Sequence, residues 1–502
     1  MLPAPANNDT KKSGLAYWSE RVLEECDKAS AGFAADPVHD LRVAIRRCRS
    51  MADGFLSVDP DPAWKQMKRL AKPLFSSLGE LRDTQVMMEW VSKLAPHDDP
   101  VGRELSSALL TKEHHLKAAA KEALASFDRK RWAALNAHLA TRTGAVPPEG
   151  PVFQHLALER WMEARELHRR ALRNRSGVAW HQLRIGIKRF RYTLENFLPQ
   201  RHQKWSKELR ELQDALGEVH DFDVLRAMIN SHAGIGRDER ALWQKHIAEE
   251  RRQRLDLYRN KMVGRRSLWE LWHAELPTGA ALEEAAMAKL RTWASSLDPD
   301  PAHSELVTQL ALKLYDGLSQ CGILRLVSKD RQILEAAALL HEVGRGKLAD
   351  RNSRGHQKRG QRMVAKLKAP LGWSQEDMRC VAALVRFHQG GLPSTNDAAF
   401  VGFDRKRRAG LMRLIGILRL ANAFDDNHAG KVRQLTVECR NGALILSCQG
   451  LAAMSREAER AARARYVLEM VCRRPIGIRF LRARGAGGIH AARQQKRAAH
   501  TS

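Results

Sequence analysis

Two stretches that match in register constrain this chain more than anything else in it. The first runs His39, Asp40, Leu41, Arg42, Val43, Ala44, Ile45, Arg46, Arg47, Cys48, Arg49; the second runs His181, Gln182, Leu183, Arg184, Ile185, Gly186, Ile187, Lys188, Arg189, Phe190, Arg191. On a helix, steps of three, four and three residues stay on one face. His39, Arg42, Arg46 and Arg49 therefore form one basic row, while Leu41, Ile45 and Cys48 turn toward a core. His181, Arg184, Lys188 and Arg191 repeat the row over Leu183, Ile187 and Phe190. Arg47 and Arg189 point about 100° away from it.

Like charges on one helix face, roughly 5 to 6 Å apart, destabilise the helix by a few tenths of a kcal/mol per pair. A bound polyanion reverses the sign, because guanidinium groups take phosphate oxygens two at a time and a histidine adds a donor. Two such rows in register argue for that use over two solvated surfaces.

The repeat is longer than one helix. A segment from Trp64, with Lys65, Lys68, Arg69 and Lys72, leads to Leu78, Gly79, Glu80, Leu81, Arg82, Asp83. Its counterpart, with Lys204, Lys207 and Arg210, leads to Leu216, Gly217, Glu218, Val219, His220, Asp221. Counting back from each glycine aligns Arg69 with Lys207 and Lys72 with Arg210. Self-similarity on this scale predicts two copies of one helical unit about a pseudo-twofold axis.

The net charge of +28 fits an anionic partner: nucleic acid, polyphosphate, anionic membrane or acidic protein. Aromatics are only 6% of residues, which disfavours stacking of single-stranded bases on exposed rings. The seven cysteines are scattered without a Cys-x-x-Cys pair, as expected of reduced thiols and not of a cysteine zinc site. No stretch approaches the roughly 20 apolar residues of a membrane span, and the start of the chain lacks an apolar signal core. A soluble, cytoplasmic protein is expected.

Helical periodicity runs from Leu15 to about Ser30, then through a basic helix capped by Asp36, with Pro37 in its first turn, as far as Phe55. Further helices are predicted at about 84–96, 101–126 and 128–140, and after Asp223. Beyond a linker at Pro277–Gly279 they continue to Ser296, then from His303 to Gly322, Arg331 to Val343, Gly360 to Leu367, Gln375 to His388 and Arg405 to Phe424. The expected β-structure is one hairpin, with Leu435, Val437, Leu444 and Leu446 alternating about an Asn441–Gly442 turn. The basic tail, 485–502, is expected to be disordered.

With both basic helices and both Leu-Gly-Glu-x-x-Asp segments present in order, residues 10–275 resemble a CHAD domain, the conserved histidine α-helical domain. The resemblance implies a helical bundle of two repeats around a basic central channel that binds inorganic polyphosphate. Carried over by position, it implicates His39, Arg42, Arg46, Arg49, Lys68, Arg69 and Lys72, and in the second copy His181, Arg184, Lys188, Arg191, Lys207 and Arg210.

Residues 285–480, with Ala337, Ala338, Leu339, Leu340, His341, Glu342, Val343, Gly344 and later Leu384, Val385, Arg386, Phe387, His388, resemble the helical HD-like domain of the exopolyphosphatase and guanosine-pentaphosphate phosphohydrolase family. In that family the chemistry belongs to a preceding actin-like domain. No glycine-rich phosphate loop on a strand occurs here, so exopolyphosphatase activity is expected to be missing and no catalytic residue is assigned. Related metal phosphohydrolases use a His, a His-Asp pair and a distant Asp on a divalent cation that generates hydroxide. The candidates here are His303, His341, Glu342, His356, His388 and Asp425, with glutamate in place of the pair's aspartate. The resembled domain also has His-Glu without needing a metal, so neither metal nor cofactor is expected. The loop after the motif gathers Arg345, Lys347, Arg351, Arg354, Lys358, Arg359 and Arg362, with only Asp350 among them, and reads as an auxiliary anion-binding surface.

The expected fold class is mainly α: a two-repeat bundle with a basic channel, then an HD-like helical domain carrying a small β-hairpin. The expected function is non-catalytic binding of inorganic polyphosphate, compatible with sensing or with recruitment to polyphosphate granules. One rival is a metal-dependent phosphohydrolase acting on polyphosphate or a nucleotide. The other is a nucleic-acid-binding protein, less favoured because paired basic helices are not a recognised reading head. Oligomeric state is not legible.

Overall fold

The structure is a computed structural model that describes residues 14–96, 98–346, 355–394 and 397–481; the basic tail 485–502 lies outside them. Two compact units divide the chain, Met1–Ala288 and Lys289–Ser502. The first contains α1 (Leu15–Ser30), α2 (Ala35–Phe55), α3 (Pro62–Leu70), α4 (Lys72–Leu94), α5 (Pro100–Ala125), α6 (Arg129–Thr143), α7 (Pro151–Asn174), α8 (Gly177–Phe197), α9 (Pro199–Ser231), α10 (Arg237–Met262) and α11 (Leu268–His273). The unit boundary falls within α12 (Gly279–Leu297).

The duplication is visible in the helices. α2 and α8 are each 21 residues long, and α3 with α4 corresponds to the single α9. The first copy breaks at Ala71 because Pro73 follows. Proline has no N–H to donate, and its ring crowds the carbonyl four residues back, here that of Arg69. The second copy has Glu211 at the aligned position and continues unbroken. Like elements meet like: α2 packs on α8 and α4 on α9. Leu41, Ile45 and Cys48 are fully buried, as are Leu183, Ile187 and Phe190. A further apolar cluster ties α4, α5, α9 and α10 together through Val91, Leu105, Phe222, Ile229 and Ile247. One local expectation fails: Asp36 does not cap α2, which starts after Ala34 without a side-chain cap and keeps Asp36 inside its first turn.

The second unit contains α13 (Pro301–Gln320), α14 (Ser328–Leu340), α15 (His356–Ala365), α16 (Gln375–Phe387), α17 (Arg405–Ala423) and α18 (Arg456–Cys472), with β1 (Gln434–Arg440), β2 (Ala443–Gln449) and β3 (Ile476–Leu481). The hairpin turns at Asn441 and Gly442, with φ 49° and 78°, as a tight primed turn requires. The β-structure is larger than the expected hairpin, because β3 adds parallel to β2 from Leu444↔Ile476 to Gln449↔Leu481. Among the described residues no helix is long and apolar enough to cross a membrane, and all seven cysteines are free thiols.

Candidate functional site

A cleft of about 790 Å³ opens between α2 and α8. Arg42, Arg46 and Arg49 line it from α2, Lys68 from α3, and His181, Arg184 and Lys188 from α8. Seven of the thirteen residues implicated by sequence thus come together. Arg160 of α7, Arg189 and Tyr192 also line it. Arg160 lies outside both copies of the motif, so no repeat could have marked it. His39, Arg69, Lys72, Lys207 and Arg210 are exposed and do not line this cleft. Arg191 is half-buried, on the side of Asp214.

The row is oriented by neutral groups. Arg42 donates through Nη1 to the Phe75 carbonyl (3.2 Å) and lies 5.0 Å over the Phe75 ring. Arg49 donates to the Lys68 carbonyl (2.8 Å) and flanks the same ring. Arg46 lies over Tyr192. Among the described residues Arg42, Arg46, Arg184 and Lys188 form no ion pair with a carboxylate, and the Nε atoms of Arg46, Arg184 and Arg191 are buried with no hydrogen-bond partner. The cations beside the row are committed elsewhere: Arg47 to Glu195 and Asn196, Arg189 to Glu163 (2.7 Å), and Lys68 to Asp53. Carbonyl and ring contacts fix the direction of a guanidinium without neutralising it. The charge of the row remains available.

Burial, then the neighbouring Arg184 and Arg46, push the Lys188 ammonium down to about 7, and Asp221 offsets little of this. Burial and Arg184 likewise lower His181, whose Nδ1 lies 3.2 Å from Nδ1 of His220, and push His220 down to about 4. At the aligned place in the first copy His39 is lowered by burial and by Arg82. The Leu-Gly-Glu-x-x-Asp segments lie behind the row. Asp83 attracts Arg42, and Asp221, its own pKa raised by burial, attracts Arg184. A Cβ on Gly79 would stand 2.8 Å from Nη1 of Arg42, so the guanidinium lies directly against the bare glycine.

The second unit gathers a different constellation at its helix ends. His303 in the first turn of α13, His341 and Glu342 beyond α14, His356 at the start of α15, His388 beyond α16 and Asp425 beyond α17 are all buried. Nδ1 of His341 is 2.7 Å from the Ala338 carbonyl, Nδ1 of His388 is 2.8 Å from the Val385 carbonyl, and Nδ1 of His303 is 2.8 Å from Asp425. Glu342 pairs with Arg345 through one oxygen and turns the other toward Nε2 of His341, His356 and His388, at 3.7, 3.5 and 3.6 Å. Ligand atoms of His303, His341 and Glu342, and of Glu342, His356 and His388, lie within 4.8 Å of one another. Gly344 lets α15 approach, since a Cβ there would meet the His356 carbonyl at 2.0 Å. Two residues of the expected auxiliary basic surface are engaged within the turn itself. Arg345 is taken by Glu342, and Arg359 donates to the Gly344 carbonyl (3.0 Å), so both hold this turn together. Lys358 and Arg362 are exposed on α15, and Lys347 and Arg351 lie outside the described residues.

Among known families, residues 15–230 match the CHAD domain. The chain carries a CHAD domain. Residues 287–448 match the Ppx/GppA phosphatase, domain III, so the second unit is Ppx/GppA-like. A solved structure, the CHAD domain from the plant Ricinus communis, is 20% identical, covering 49% of this chain and 91% of that one with a TM-score of 0.39. No curated protein matches. Both matched regions are consistent with a polyphosphate-related function.

Proposed function

We propose that this protein binds inorganic polyphosphate in the cleft between α2 and α8 of its CHAD domain, without chemistry there. The observation that carries this reading is the set Arg42, Arg46, Arg184 and Lys188: four cations facing one cleft with no carboxylate ion pair, two of them with a buried, unpartnered Nε. Such a face raises the energy of the protein alone and is relieved by a continuous anion. Phosphate oxygens at short intervals along a polymer suit donors at successive helical turns better than one small anion does. An exposed ion pair contributes only about 0 to 1 kcal/mol, so affinity is collective.

The test is calorimetry of the full-length chain with linear polyphosphate at two salt concentrations. Taking the counterion slopes of single-stranded nucleic acids as a guide, about six contacts give a log–log salt slope near −4. Binding that ignores salt, or that duplex DNA displaces as readily as polyphosphate does, would overturn the assignment.

A further inference from the structure

We propose that Cys321 and Cys439 form a reversible disulfide that staples the end of α13 to β1 of the second unit. It stands independently of polyphosphate binding. The two positions are brought together by the packing of α13 on β1. Gly317 of α13 is buried, and a Cβ there would lie 2.6 Å from Cβ of Val437, so helix and strand meet at bare backbone. Side chains two apart on a strand share a face, so Cys439 follows Val437 toward the helix. Cys321 follows Gly317 by four residues, on the same face of α13. Four helical residues advance about 6.0 Å and two strand residues about 6.8 Å, nearly in step. The approach at Gly317 and Val437 accordingly recurs at the cysteines, whose thiols are in hydrogen-bond contact.

Both cysteines are held in place and both are reachable. The Cys321 N–H donates to the Gly317 carbonyl at 3.0 Å, and Gly322, with φ 66°, turns the chain out of the helix just beyond it. Cys439 is exposed on β1, an edge of the sheet, and Cys321 is half-buried, whereas Cys26, Cys48, Cys380 and Cys448 are buried. The exposed Cys439 meets an oxidant first. Cys321, whose thiol is pushed up by burial and by the adjoining Cys439, resolves it. With hydrogen peroxide as oxidant, the Cys439 thiolate attacks one peroxide oxygen; S–O forms, O–O breaks, and the departing hydroxide takes a proton to leave as water. The Cys321 sulfur then gives up its proton and attacks the sulfenic sulfur; S–S forms, S–O breaks, and a second water leaves. The two thiols together lose two electrons, and peroxide is reduced to two waters. The bond closes a loop that holds α14, α15, α16 and α17, which removes conformations from the unfolded chain. A solvent-open pair of this kind belongs with the labile, redox-sensing disulfides of reducing compartments.

The experiment is treatment of the full-length chain with hydrogen peroxide, alkylation of the remaining thiols and trypsin digestion read by mass spectrometry, with thermal melting of the same samples. Cleavage after Lys and Arg releases residues 314–325 and 434–440, each with one cysteine. The two peptides should appear joined, and should separate after dithiothreitol. The oxidised chain should melt about 5 to 15 °C higher than the reduced one, and dithiothreitol should reverse the rise. Cys439→Ser, at an exposed position, should lose both the joined peptides and the rise, while Cys472→Ser should keep both. If Cys439→Ser does not fold, the wild-type digest and melt still decide. The two peptides recovered separately from oxidised wild type overturn the pair, as does a joined product found only in a covalent dimer on a non-reducing gel. Joined peptides without a rise in Tm overturn the staple.

Discussion

The two copies of the basic helix have the same register and different surroundings. In the first, Arg42 and Arg49 lean on one ring, Phe75, and donate to carbonyls of the corner that Pro73 makes between α3 and α4. In the second, α9 continues without a break, Gln213 stands at the place aligned with Phe75, and the Nε of Arg184 has no partner. Duplication thus fixed where the charges stand, and the break decided which of them are anchored beforehand. Arg42 and Arg49 are set in place by the protein alone. Arg184 and Lys188 are held beside one another without a carboxylate ion pair, a cost that the proposed anion would relieve.

The broadest way to break that comparison is to remove both copies at once. The change of Arg42, Arg46, Arg184 and Lys188 to Ala deletes four contacts, each worth up to about 1 kcal/mol. Polyphosphate affinity by calorimetry should fall by up to about a thousandfold. The melting temperature of the free chain should hold or rise, because the substitutions relieve like-charge repulsion. Loss of folding together with binding would instead give the row a structural role.

A smaller effect separates anchored from unanchored cations by pH. Burial and the neighbouring arginines lower Lys188 from 10.5 to about 7, so its ammonium destabilises the free chain below pH 7, and the loss is relieved as pH rises from 7 toward 10.5. A bound anion favours the ammonium and takes up a proton. Affinity should therefore weaken about tenfold as pH rises from about 6.5 to 8.5, one charge-assisted contact being lost. His220, pushed down to about 4, faces Lys188's helix from α9 and stays neutral across this range, while burial lowers His181 on the same helix and raises Asp221. Lys188→Arg should flatten the profile. Calorimetry in buffers of different ionisation heat would count the proton, and an unchanged profile in the variant would remove Lys188 from the site.

Much of this was legible because helical periodicity is local. The basic rows, their apolar backs, α1, α17 and the Asn441–Gly442 turn all follow from spacing within one element. What stayed hidden depends on partners far along the chain. β3 pairs with β2 only across the whole of α18, and Arg160 reaches the cleft only through the packing of α7 on α8. Charge counting alone could not tell that Arg47, Arg189 and Arg345 answer Glu195, Glu163 and Glu342. Nor could spacing show how His303, His341 and His388 are turned, since that is set by the Asp425 carboxylate for the first and by the Ala338 and Val385 carbonyls for the other two.

The smallest effect is the sharpest test of the difference between copies, because it changes one methyl group in each. Gly79 and Gly217 hold the same place in the two motifs, yet an added Cβ would meet Nη1 of Arg42 at 2.8 Å in the first and Nε of Arg184 at only 3.9 Å in the second. Gly79→Ala should push the Arg42 guanidinium off the Phe75 carbonyl and weaken polyphosphate binding by a few-fold, about the net worth of one hydrogen bond. Gly217→Ala meets ordinary van der Waals contact within a long helix, where alanine is favoured over glycine by roughly 0.5 to 1 kcal/mol. It should raise the melting temperature by a few degrees and leave affinity unchanged. Equal losses of affinity in both variants would mean that Arg42 and Arg184 are anchored alike, and the asymmetry created by Pro73 would have no bearing on binding.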